Sequence, residues 1–299
     1  MPPPHLLTAG EAFEDQVFVG LEKIPPPGEV AHAKDYVSTL GGGAVITAVA
    51  AARLGVHVSV ASGLSRDGAH RLRQENIRVR NLRKHGEPSA VTAALSCGDE
   101  RALVTFAGMN AQLEGRLARV LTRTRASHVH LAFSPHDCAA WAERLSVLKR
   151  RGIKLSGDFG WNESLFTDAG LPALFDTLDI VFVNEREANF YAKTKQLPAA
   201  LPYWRKRKGV VVIKRGRQGA LWLERDREHV ARGRELQPVD TTGAGDSFNG
   251  GFLWAWLHKR PPAQCLAAGN FVGAQSTKKA GGLDALPRLA QLPRQLRRA

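Results

Sequence analysis

Strand-like segments alternating with helix-like segments predict a three-layer α/β/α fold around a mostly parallel central sheet. The strand-like runs fall at residues 56–61, 128–133, 180–184 and 210–214, and the helical patterns between them at 44–54, 139–149 and 171–175. A second observation is Val210-Val211-Val212-Ile213, continuous and β-branched, which suits a strand buried on both faces of a parallel sheet. Ligands are then expected at the carboxyl ends of the strands. A third observation concerns residues 13–39 and 88–106, where strand-like runs follow one another without helices.

In the first of these stretches, 16–19 and 30–33 flank the turn signal Pro25-Pro26-Pro27-Gly28. In the second, 90–96 and 102–106 are joined by Cys97-Gly98-Asp99-Glu100. Four such strands predict a small sheet of their own. Both hairpins directly follow main-sheet elements, which favours a lid over the active site rather than an extension of the sheet edge.

The 299 residues read as one domain, 1–299, with the lid strands inserted. Hydrophobic residues at 43% and charged residues at 23% are ordinary globular usage and exclude wholesale disorder. A formal charge of +14 suits a nucleic-acid partner, an anionic substrate or a basic proteome. The basic run Arg205-Lys206-Arg207-Lys208 and the tail Arg297-Arg298-Ala299 lack interleaved aromatics, so they read as solvated faces and no specific nucleic-acid partner is expected. Cys97, Cys138 and Cys265 are too few and too scattered for a disulfide framework, which points to the cytoplasm. No apolar run is long enough to span a bilayer, and Met1-Pro2-Pro3-Pro4-His5 does not open a secretory signal, so no membrane partner is expected.

The most informative stretch is 239–252, which contains Asp240-Thr241-Thr242-Gly243-Ala244-Gly245-Asp246. Beyond it Phe248, Phe252 and Trp256 recur every four residues, the pattern of an amphipathic helix starting near Gly245. Amides at a helix start lack intrahelical partners and can bind an anion, and glycines let that backbone approach a phosphate. An acid in a first turn can simply complement the helix dipole. That alone explains neither Gly243-Ala244-Gly245 nor the threonines before it. An anion hole for a transferring phosphoryl group, with Asp246 as the base beside it, explains both halves. The stretch is neither a Walker A loop nor a GxGxxG fingerprint.

It resembles instead the C-terminal signature DTxGAGD of the ribokinase-like (PfkB) carbohydrate kinases, matching every fixed position. The likeness runs from about Leu6 to Leu286. Residues 41–55 resemble the N-terminal signature GGxxxNxAxxxARLG, with Ile46 where the family has a sugar-binding Asn. The resemblance implies a ribokinase-like fold with a β-sheet lid, and ATP with Mg2+ as cofactors. Asp15, Gly42, Gly43 and Asn110 would face the acceptor, while Gly243, Ala244, Gly245 and Asp246 carry out transfer. Asn184 and Glu187, the NxxE pair, would organise magnesium through water, although the same letters also describe a helix cap. Lys214, Gly216 and Gly219 match the nucleotide loop, with Lys214 in a usual threonine position. Asn270 falls in the adenine pocket by the same likeness, and reads equally as an exposed helical residue. Asp240 and Thr242, with the loop Gly281-Gly282-Leu283-Asp284-Ala285, match a monovalent-cation (K+) site whose usual serine is Ala285 here. The likeness also implies pairing of two copies through their lids.

The expected activity is therefore ATP-dependent phosphorylation of a hydroxymethyl group on a sugar or sugar derivative. A nucleoside kinase of the same fold, or a degenerate kinase-like binding protein, is the alternative. Because an isoleucine cannot hydrogen-bond a hydroxyl, Ile46 leaves the acceptor's identity open.

Overall fold

The computed structural model describes residues 3–97, 100–234 and 236–297. The chain opens with β1 (His5–Gly10), β2 (Phe13–Val19), β3 (Asp35–Gly41), α1 (Gly43–Arg53), β4 (His57–Ser62), α2 (Arg66–Gln74) and β5 (Arg78–Asn81). It continues through β6 (Val91–Cys97), β7 (Glu100–Phe106), α3 (Leu113–Thr122), β8 (His128–Ala132), α4 (Cys138–Arg150) and β9 (Lys154–Asp158). Next come α5 (Glu163–Thr167), α6 (Leu171–Thr177), β10 (Ile180–Asn184), α7 (Glu185–Tyr191), α8 (Leu197–Arg205) and β11 (Val210–Lys214). The last elements are β12 (Ala220–Glu224), β13 (Arg227–Ala231), α9 (Ala244–Leu257), α10 (Pro262–Ser276) and α11 (Arg294–Arg297).

The main sheet has the order β13-β12-β11-β10-β9-β8-β1-β4-β5. It is parallel from β5 through β11, and β12 and β13 are added antiparallel at one edge. Two apolar clusters, one on each face, make the three layers. Ile46, Leu72, Phe252, Leu266 and Leu296 place α1, α2, α9, α10 and α11 on one side. Leu117, Trp141, Leu174 and Trp204 belong to α3, α4, α6 and α8 on the other. Val210 to Ile213 are at most 3% exposed, as their unbroken β-branched run requires.

Strand order reverses at β1. The chain builds β4 and β5 on one side of it and β8 to β11 on the other, so the carboxyl ends of the central strands open a crevice. The separate sheet has the order β3-β2-β6-β7, with β2 and β6 parallel and the outer pairs antiparallel. These strands extend no edge of the main sheet.

One expected strand is absent: residues 30–33 carry no regular structure, and β3 begins at Asp35. The reason lies in its partner, because β2 ends at Val19, whose ladder partner is Asp35. Residues 30–33 thus have no ladder to join, and Val30 is 79% exposed. In the second hairpin Cys97 pairs with Glu100, but Gly98 and Asp99 of the expected turn lie outside the described residues, as do Met1, Pro2, Arg298 and Ala299. No helix among the described residues is long and apolar enough to cross a membrane.

Candidate active site

Helix α9 begins one residue earlier than its apolar pattern suggested, with Gly243 as N-cap at φ 67°. That left-handed conformation is cheap only for glycine. A side chain there would also collide with Ile46, whose Cδ1 lies 2.5 Å from where a Cβ would stand. The first intrahelical bond runs from Ser247 N to Gly243 O at 2.8 Å, which leaves the earlier amides outside the ladder. Of these, Ala244 N donates to Thr241 O at 3.2 Å, while the Gly245 and Asp246 amides precede the first intrahelical bond. Thr47 of α1 donates to Asp246 O at 3.1 Å and holds the two helix starts side by side.

The Asp246 carboxyl projects into the gap between those starts. A Cβ on Gly43 would stand 2.9 Å from Asp246 Oδ1, so only glycine leaves the space beside the carboxyl open. Burial, then the neighbouring Asp158 and Glu187, push the Asp246 carboxyl up to about 7 against the opposing pull of Lys214. A group with that affinity can both take and release a proton near neutral pH.

The residues expected on the acceptor side lie along the β1–β2 turn and the start of α1. Gly42, the N-cap of α1, packs so closely on Glu11 and Ala12 that a Cβ would stand 2.3 Å from Glu11 O. Asn110 Nδ2 donates to Ala12 O at 3.1 Å, while its buried Oδ1 has no hydrogen-bond partner among the described residues. Asp15 lies in β2 opposite Thr39, its carboxyl pressed against Gly41. Asn110, Gly42, Gly43 and Asp246 thus form one chain of contacts, with Asp15 beside it on the small sheet.

On the far side of the Gly243–Asp246 turn is a cavity of about 340 Å3. Asn184, Lys214, Gly216, Gly219, Ala244, Gly245 and Asn270 line it together with Phe248, Leu236 and Pro238. Asn270 Nδ2 donates to the backbone oxygens of Ala231 and Arg232, so this side chain braces the cavity wall. The letters NxxE form a capping box: Glu187 N donates to Asn184 Oδ1 at 2.8 Å, and Asn184 N to Glu187 Oε2 at 2.8 Å. Glu187 is only 7% exposed, and burial followed by Asp158 raises its carboxyl to about 7. The capping reading of these letters is therefore realised, and Asn184 reaches the cavity while Glu187 stands behind it.

Asp240 joins two loops. Its Oδ1 accepts from Thr242 N and Oγ1 at 2.9 and 2.6 Å, and its Oδ2 accepts from Gly281 N at 2.9 Å. Ile46, at the position where the family signature has its Asn, is 2% exposed and packs beneath Gly243 and Gly282, so its side chain supports these loops.

Two site residues escaped the sequence reading. Asp158 at the end of β9 lies 2.5 Å from Lys214 Nζ, and Asn249 of α9 donates to the same Asp158 oxygen at 2.7 Å. Asn249 could have been found as the i+3 neighbour of Asp246 on one helix face. Asp158 carried only the weak signal of an acid closing an apolar run.

A carboxyl at a helix start beside a cavity, at the carboxyl ends of a doubly wound sheet with a separate small sheet, is the setting of a small-molecule kinase. The chain belongs to the pfkB family of carbohydrate kinases, whose pattern it matches over residues 6–289. A ribokinase of Haemophilus influenzae is 25% identical over 296 residues, covering 94% of this chain and 95% of that protein. A fructokinase of Oryza sativa is 25% identical over 285 residues, covering 86% and 88%. Among solved structures, the Arabidopsis thaliana ribokinase complexed with ribose and ATP superposes with a TM-score of 0.78 at 22% identity, over all of both chains.

Proposed function

We propose that this enzyme transfers the terminal phosphoryl group of ATP to a hydroxymethyl group of a sugar or sugar derivative, with Asp246 as general base. The observation that carries the reading is the placement of the Asp246 carboxyl between bare backbone at Gly43 and the anion-binding start of α9. A hydroxymethyl group entering over Gly43 meets the base, and its oxygen then faces a phosphoryl group held by the Gly245 and Asp246 amides. Asp15 and Asn110 orient the remaining hydroxyls, and the unpaired Asn110 Oδ1 offers an acceptor for one of them. The small sheet acts as a lid that excludes water, whose attack on ATP would compete with the sugar.

The nucleotide occupies the 340 Å3 cavity, with Gly216, Gly219 and Asn270 along its wall and Lys214 towards the phosphates. No group of three His, Cys, Asp or Glu side chains among the described residues forms a metal cluster. That suits magnesium, which takes most of its ligands from phosphate and water. Asp158 stays ionised beside Lys214, while burial and Asp158 hold the Glu187 and Asp246 carboxyls up at about 7, so an added cation would draw both towards the ionised form; the residues fit such a cation, with Glu187 and Asn184 holding its waters. When bound it would offset the phosphate charge. Asp240 and Thr242 would hold a monovalent cation; equal turnover in potassium and in choline would remove that role. Phe18, Tyr36, Leu95, Val104 and Phe106 share one lid face, three of them at 52–66% exposure, and we assign this face to a second copy. A monomeric mass by light scattering would exclude it. Three unpaired cysteines suit the reducing cytoplasm.

The test is Asp246→Asn with a panel of pentoses, hexoses, ketoses and nucleosides, followed by ADP release. Turnover should fall by about a hundredfold or more while ATP binding stays intact. Wild-type turnover in the variant would remove Asp246 from its role, and the panel separates sugar from nucleoside acceptors.

A further inference from the structure

Beneath the Gly243–Asp246 turn lies a buried polar cluster whose internal contacts the reaction as described does not explain. Lys214 ends β11 in register with Asn184, while Asp158 ends β9 two ladder rows lower, opposite Phe182. Strand β10 separates the two, so the lysine must arch across it to reach the carboxylate. Its Nζ lies 2.5 Å from Asp158 Oδ2 and 3.5 Å from Asn249 Oδ1. Asn249, fully buried on α9, donates to that same Asp158 oxygen at 2.7 Å. The ammonium finishes against the turn itself: a Cβ on Gly245 would stand 3.1 Å from Lys214 Nζ. Three elements therefore converge on one charge and hold it against the backbone that receives phosphate.

Stability gives little reason for this arrangement, because apolar residues of the same volume usually serve a buried pair's packing as well or better. A free lysine, by contrast, carries several rotors whose entropy must be lost each time it meets a ligand. A charge fixed in advance needs no reorganisation as phosphoryl transfer proceeds.

We propose that Asp158 and Asn249 are positioning residues that fix the Lys214 ammonium against the Gly245 turn, so that it meets the migrating phosphoryl group as a preset charge. The proposal rests on the kinase reading of the site. The electrostatics agree with it. The carboxylates facing Asp246 are Asp158 and Glu187, which raise its proton affinity, and Lys214 lowers it. Burial would raise the Asp158 carboxyl, but Lys214 and Asn249 outweigh that effect and keep it ionised, with His130 of β8 adding a small pull in the same direction.

The experiment compares wild type, Asp158→Asn, Lys214→Met and the double variant for kcat, both KM values and the pH profile of kcat. Lys214→Met should lower kcat by about 10²–10³, as loss of a transition-state donor does. Asp158→Asn should lower it by about 10–100-fold, the range for a supporting partner, with the acceptor KM unchanged. In the Met background the Asn substitution should cost nothing more, since the lysine it serves is gone. The acid limb of the profile should move down in Asp158→Asn and up in Lys214→Met, opposite shifts that a purely structural role would not produce. Wild-type kcat in Asp158→Asn, or its full loss repeated in the Met background, would overturn the proposal. If Asp158→Asn does not melt cooperatively, Asn249→Ala replaces it, and a loss that persists beside Lys214→Met is equally fatal. Should wild type phosphorylate no acceptor, the kinase reading fails on its own. Calorimetry with a non-hydrolysable ATP analogue then decides the positioning: weaker binding in both single variants upholds it, and unchanged binding refutes it.

Discussion

Gly43→Ala isolates the space beside the Asp246 carboxyl, the proposed base. The added methyl would stand 2.9 Å from Asp246 Oδ1 and 3.1 Å from Ala132 Cβ, about half an ångström inside ordinary contact with the oxygen. Ala132 belongs to a core strand and is 7% exposed, so the carboxylate is the partner that gives way. A 1 Å misplacement in a reacting pair can cost about a hundredfold, so this shift should lower kcat by about tenfold. The fold should not suffer. Gly43 has no left-handed φ and opens α1, where alanine is the better helix former by about 1 kcal/mol. The assay is kcat by ADP release at saturating substrates, beside a thermal melt, with Gly115→Ala as control because nothing lies within 4 Å of its Cβ position. Unchanged kcat with an unchanged melt would mean that the acceptor hydroxyl does not approach over Gly43.

The Asp246 carboxyl, raised to about 7, must be ionised to accept a proton. In stopped pH-rate measurements kcat/KM should therefore rise with pH and level off above about 7; a limb near pH 4 would mean that the base is another group or is not buried. Ile46→Asn places an amide beneath Gly243 and Gly282, where the isoleucine is 2% exposed. It should cost about 2–5 kcal/mol, read as a lower melting temperature. Gain of a new acceptor at an unchanged melt would return residue 46 to the sugar site.

The chain's local patterns determined a good deal by themselves. The β-branched run at 210–213 announced a strand covered on both faces, and Gly243-Ala244-Gly245-Asp246 announced a helix start, because both signals come from neighbours in sequence. Strand β3 was misplaced because its start depends on where β2 stops, which is a matter of pairing across 16 residues. The signature position of Ile46 told which hydrogen bond it cannot make, and only the fold shows that its side chain packs against Gly243 and Gly282. Asp158 gave only the weak sign of an acid closing an apolar run. Its partners Lys214 and Asn249 lie 56 and 91 residues away, and only the closing of β9, β11 and α9 around one ammonium brings them into reach. Periodicity and turn chemistry act over a few residues, and they set the elements. Long-range electrostatics and packing become definite only when those elements meet, and they set which charges share a site.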